Sequence, residues 1–134
     1  MADLTFTTEA GAVDVSVETQ ADLSAAQYFF IKLSTAELGV LAGANEKTLG
    51  ILQNAPVGTA TEPAIARVRV SGISKLKIAE TVAFGKFLTP TAAGDGEVCD
   101  AAGEEYGARA LTSGEDNDLI TVEVCHGEVE ATDA

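Results

Sequence analysis

The chain has 134 residues, 46% of them apolar, no tryptophan, and 21 acidic against eight basic side chains for a formal charge of −13. That length and composition allow one domain with a core of Val, Ile, Leu and Ala. The charge excludes the basic surface that duplex nucleic acid or an anionic membrane would need.

Strand signals recur about every ten residues with turn residues between them. Thr5-Phe6-Thr7-Thr8 is rich in β-formers but short. Ala12-Val13-Asp14-Val15-Ser16-Val17-Glu18 alternates apolar and polar residues, the pattern of a strand with one wet face. Ala21–Gln27 could form a turn or two of helix, and Thr35 could cap a second start that Gly39 and Gly43 cut short. Tyr28-Phe29-Phe30-Ile31-Lys32-Leu33 is the most apolar window and reads as a central strand.

Ala64–Val70 alternates again, which predicts Arg67 and Arg69 on a solvent face, and Lys75-Leu76-Lys77-Ile78 reads as a separate strand after Gly72. Phe87-Leu88-Thr89, Glu97-Val98-Cys99 and Leu119–Val124 complete the set. Gly94-Asp95-Gly96 suits a hairpin turn because both residue types tolerate positive φ.

The fold expected is mainly β, a small antiparallel barrel or sandwich with at most one short helix and an extended N-terminal arm. The arm is placed at residues 1–11, the β-rich domain at 12–126, and an acidic flexible tail at 127–134. The opening residues lack the basic and apolar regions of a signal peptide, and no apolar run reaches the roughly 20 residues of a membrane helix. Cytosolic synthesis is therefore expected, with Cys99 and Cys125 as reduced thiols, a disulfide between them being the alternative the sequence leaves open.

Chemistry-bearing patterns are sparse. His126 is the only histidine, and Cys125 beside it on a strand would point to the opposite face, so the two cannot chelate one ion. Glu115-Asp116-Asn117-Asp118 groups oxygen ligands without calcium-loop spacing and reads as a solvated turn. Neither a nucleophile elbow nor a phosphate-binding loop occurs. No catalytic residue, metal site or cofactor is expected.

One ordered set of short motifs carries more. Leu49-Gly50-Ile51-Leu52-Gln53-Asn54-Ala55-Pro56 precedes Ala66-Arg67-Val68-Arg69-Val70-Ser71-Gly72-Ile73-Ser74-Lys75, then Val82-Ala83-Phe84-Gly85-Lys86-Phe87-Leu88-Thr89 and Ala93-Gly94. Tyr106-Gly107-Ala108-Arg109-Ala110-Leu111 and Asn117-Asp118-Leu119-Ile120-Thr121-Val122 follow. Over roughly residues 49–124 this order resembles the capsid cement, or head decoration, proteins of tailed bacteriophages. Residues 1–48 match that family only loosely, and the turn before the last strand is longer here. The resemblance implies a small β domain bound to the outer surface of an expanded phage head, its partners the major capsid protein and itself, often as a homotrimer at three-fold or quasi-three-fold sites. It would clamp capsid subunits against internal DNA pressure, on the virion after synthesis in the host cytoplasm, and perform no catalysis. The strongly acidic composition suits such a place, since it does not compete for packaged DNA.

Two contact surfaces are expected. Leu4, Thr5, Phe6, Thr7 and Thr8 could add a strand to an exposed sheet edge of a capsid subunit, or could instead complete the sheet of their own domain. Tyr28, Phe30, Ile51 and Leu52 hold more apolar surface than a small barrel easily hides, and are read as an oligomer interface. The competing functional reading is a glycan-binding β domain, which would need an exposed aromatic platform or a calcium-held loop.

Overall fold

The computed structural model describes residues 11–58 and 61–130. Those residues form nine strands and no helix: β1 (Val13–Glu18), β2 (Phe30–Leu33), β3 (Gly39–Leu41), β4 (Gly50–Leu52), β5 (Ile65–Lys77), β6 (Phe87–Pro90), β7 (Gly96–Val98), β8 (Glu105–Ala110) and β9 (Leu119–Glu128). All pair antiparallel in one curled sheet of order β3-β2-β4-β5-β9-β8-β6-β7, with β1 on β5. The mainly β expectation holds.

The helix signals resolve into turns. Asp22 accepts hydrogen bonds from the Ser24 amide and hydroxyl, which closes an Asx turn and goes no further. At the second site Ser34, not Thr35, does the capping: its hydroxyl accepts from Ala36 and Leu38 N–H within the β2–β3 hairpin loop. Gly94 takes φ +91 in the β6–β7 hairpin, as its sequence predicts.

β5 organises the molecule. Its 13 residues run unbroken through Gly72, so the two strands expected on either side of that glycine are one. Gly72 adopts φ +104, and a Cβ there would lie 2.9 Å from Ala12 Cα, so bend and close approach both require glycine. Before the bend β5 pairs with β1 and β4; after it, with β9. The sheet curls toward closure on each side. Thr19 bridges Gly39 between the end of β1 and β3, and Ile78 bridges Gly96 between the end of β5 and β7.

Two cores result. One gathers Leu23, Ala26, Ile31, Leu52, Ala66 and Val68. The other gathers Phe30, Ala42, Ile51, Leu76, Ile78, Val82, Leu88, Ala108, Ala110, Ile120, Val122 and Val124. Consecutive residues of β2 and β4 enter different cores, Phe30 and Ile51 one, Ile31 and Leu52 the other. This strip is covered on both faces, which is why it reads as an unbroken apolar run rather than an alternating one.

The same geometry corrects the expected oligomer interface. Phe30, Ile51 and Leu52 are 0% exposed within the single chain, so they have no surface to offer a second copy. The excess apolar surface read from the sequence is consumed by the second core. Tyr28 remains half-buried with a left-handed backbone, φ +69. That conformation costs a non-glycine residue about 1 kcal/mol. It is held by Tyr28 N–H donating to Leu52 O at 2.8 Å and Tyr28 O accepting from Lys77 N–H at 3.0 Å.

Two further expectations change. Arg69 is 1% exposed, not solvent-facing: Nε and Nη2 donate to the Asp14 carboxylate at 2.8 and 3.2 Å, and Nη1 donates to Ile73 O at 2.9 Å. β9 runs to Glu128, and Val129 exchanges backbone hydrogen bonds with Gly103 and Glu104, so folded structure extends past residue 126 into the expected tail.

Candidate docking surface

The fold leaves an aromatic patch on the outside of its β6–β8 region. The turn before β6 is tied to β8 by Gly85 N–H donating to Ala110 O and Ala110 N–H donating to Lys86 O, each at 2.8 Å. This puts Phe84 in the open, 65% exposed, with the Arg109 guanidinium carbon 5.9 Å from its ring centre. Phe87 is the cross-strand partner of Arg109, and its ring lies 4.1 Å from that of Tyr106, tilted by 31°. Leu88, next along β6, enters the core, so strand alternation turns Phe87 outward. Aromatic rings with an arginine are the side chains that carry most energy at protein interfaces.

Elsewhere, several basic side chains are paired within the chain. Lys32 pairs with Glu46, Lys47 with Glu105, and both Arg67 and Arg69 with Asp14. The Arg69 hydrogen bond holds the Asp14 carboxyl below the usual carboxylate range; partial burial opposes this, and the charges of Arg69 and Arg67 assist it.

Two shallow clefts of about 450 and 430 Å³ flank the segment Lys47–Thr48. The first is lined by Glu105, Tyr106, His126 and Glu128, the second by Lys32, Leu33 and Glu46. Thr48 Oγ1 is buried between them against Gly107, without a hydrogen-bond partner among the described residues. Among those residues no group of three or more His, Cys, Asp or Glu side chains converges as a metal site. The Glu115–Asp118 turn satisfies itself, the Asp118 carboxylate accepting from Glu115 N–H at 2.8 Å. Cys99 and Cys125 are free thiols. Burial, with Glu104, Asp100 and Glu97 nearby, pushes the Cys99 thiol up to about 11, away from nucleophilic use.

Of the residues expected at contact surfaces, Leu4, Thr5, Phe6, Thr7 and Thr8 lie outside the described residues. Phe30 and Ile51 are brought together, but as cross-strand partners facing the interior. Phe84, Tyr106 and Arg109 escape a sequence reading because they come from separate segments that only the sheet pairing joins. The outward alternation of Phe87 was the single local hint. Comparison with protein-family models and with curated proteins finds no match.

Proposed function

We propose that the chain is a structural decoration protein that binds the outer surface of an expanded phage head and clamps neighbouring major capsid subunits. The observation that carries this reading is where the resembling motifs fall. Gly50–Pro56 and Val68–Lys75 form the junction between the two halves. A Cβ on Gly50 would collide with the Arg69 carbonyl, and the Gln53 amide donates to Ser74 Oγ at 2.8 Å and to Ile51 O at 3.0 Å. The motifs thus encode a two-core β scaffold.

On this reading the protein acts by shape and shared surface, with no bond made or broken. Its high negative charge keeps many copies from binding packaged DNA. The Phe84, Phe87, Tyr106 and Arg109 patch serves a capsid subunit, and repetition over the shell makes a modest contact sufficient. A homotrimer at three-fold positions remains part of the proposal, using surface other than Phe30, Ile51 and Leu52. The test is to add purified protein to undecorated expanded heads and to unexpanded proheads. Saturable binding to expanded heads alone is the expected result; equal binding to both, or to neither, overturns the proposal.

A further inference from the structure

Ion pairs within the chain leave a pattern in the charges that remain. Lys32, Lys47, Arg67 and Arg69 each have a carboxylate partner, whereas Lys75, Lys77, Lys86 and Arg109 have no ion pair among the described residues. Lys75, Lys77 and Arg109 lie on one sheet face. In β5, Ser74 and Leu76 turn inward, which turns Ile73, Lys75 and Lys77 outward. In β9, Ile120 and Val122 are buried, so Leu119, Thr121 and Glu123 face out by the same alternation. Lys75 is the cross-strand partner of Thr121, and Lys77 of Leu119, which is 49% exposed. Arg109 borders this strip across Glu123. In a chain of formal charge −13, two unpaired lysines thus flank an exposed leucine.

The opposite imbalance surrounds β7. Asp95, Glu97 and Asp100 lie in or beside that strand, and Glu80 reaches it by accepting a hydrogen bond from Val98 N–H at 2.7 Å. Neither these carboxylates nor that of Glu104 has an ion pair among the described residues. Their bonds are local: Asp95 accepts from the Thr91 hydroxyl, and Glu104 accepts from Ala101 N–H. The Glu97 carboxyl is held above its ordinary value by partial burial, and then by the charges of Glu80, Glu104, Asp95 and Asp100. Ionised together, these groups repel one another, and a cation brought from outside relieves them. The Ile78–Gly96 bridge ties the residue after β5 to β7, so basic strip and acidic group lie side by side around the curl.

We infer that the strip around Lys75, Lys77 and Leu119 of one copy docks on the carboxylate group around Glu97 of a second copy of this chain. Each patch supplies the charge that the other lacks. Because the two patches occupy different places on one molecule, the contact is head to tail, and such contacts close into rings when the rotation permits. At physiological salt, charges more than about 8 Å apart are largely screened. Repulsion between two acidic chains is therefore damped more than the pairs at the contact. Complementary charge fixes the partner and its orientation more than it raises affinity, so the free association is weak and repetition on a shell strengthens it. The contact rests on the oligomer of the proposed function and leaves the Phe84 patch to the capsid subunit.

Free full-length protein suffices for the test, by sedimentation velocity from about 10 μM to about 1 mM. The mean mass should rise with concentration. Lys75→Glu combined with Lys77→Glu should weaken self-association at least roughly tenfold, with an unchanged circular dichroism spectrum. Glu97→Lys combined with Asp100→Lys should do the same. Mixing these two double variants in equal amounts should restore association, because the acidic strip of one then meets the basic group of the other. Wild-type protein that stays monomeric at the highest concentration overturns the inference. So does self-association that survives the lysine reversals, or a mixture of folded variants that remains monomeric. No phage head enters the experiment, so each of these failures leaves the capsid reading standing.

Discussion

The two halves of the sheet are stabilised by different means. On the β9 side of Gly72 the interior is aliphatic, with Leu76, Ile78, Leu88, Ile120 and Val122 at its centre. On the β1 side the core is smaller and, among the described residues, open along one edge, and the largest buried side chain of that half is Arg69, held by Asp14. A filled core is stabilised by removing apolar area from water. A buried arginine contributes little net stability of its own and makes its half dependent on one carboxylate. The two halves should therefore fail under different perturbations.

The largest effect is expected where the filled core is emptied. Leu76→Ala should cost about 3 kcal/mol and lower Tm by roughly 12 °C, measured by circular dichroism. Asp14→Asn comes next. It leaves the Arg69 guanidinium buried without its countercharge, a change that costs about 3 kcal/mol for a fully buried pair and less here because the Asp14 side chain is 22% exposed. The two variants should also differ in place: native-state hydrogen exchange should show Ala66 and Val68 loosened by Asp14→Asn, and Val122 and Val124 by Leu76→Ala. Loss of all four amides together in both variants would mean that β5 couples the halves into one cooperative unit.

Acid sharpens the same contrast. The Asp14 carboxyl is held below its ordinary value when folded, so its stabilising contribution is present above the unfolded value of about 4 and is lost as pH falls through the folded one. Amides of the β1 side should lose protection on acidification before those around Leu76, and Asp14→Asn should flatten that difference.

Gly72→Ala should have a smaller effect of about 1–2 kcal/mol, from a Cβ at φ +104 pressed on Ala12, and should loosen both halves equally because it acts at their hinge. The smallest effect on folding is expected at the exposed patch. Phe84→Ser should change stability by less than about 0.5 kcal/mol, yet weaken binding to expanded heads roughly tenfold if the patch meets a capsid subunit. Unchanged affinity would detach the patch from the proposed function.

Alternation alone located β1, the first half of β5 and β9, because each has one face in water and so repeats every two residues. The hairpin glycine Gly94 was equally legible, since positive φ is a property of a single residue. The strands β3, β4 and β8 were not, because β4 is buried at every position and neither β3 nor β8 alternates regularly between exposed and buried residues. Nor could a pattern of residues show that Arg69 lies inside. Arg67 and Arg69 occupy equivalent places in the alternation and both reach Asp14, yet only Arg69 also donates to the Ile73 carbonyl and lies inside. The apolar run at Phe30–Ile31 and Ile51–Leu52 shows the same division. The sequence determined that these side chains must leave water, and the fold decided that they leave it into two cores of one chain, because a strip of sheet has two faces and β5 bends to cover both.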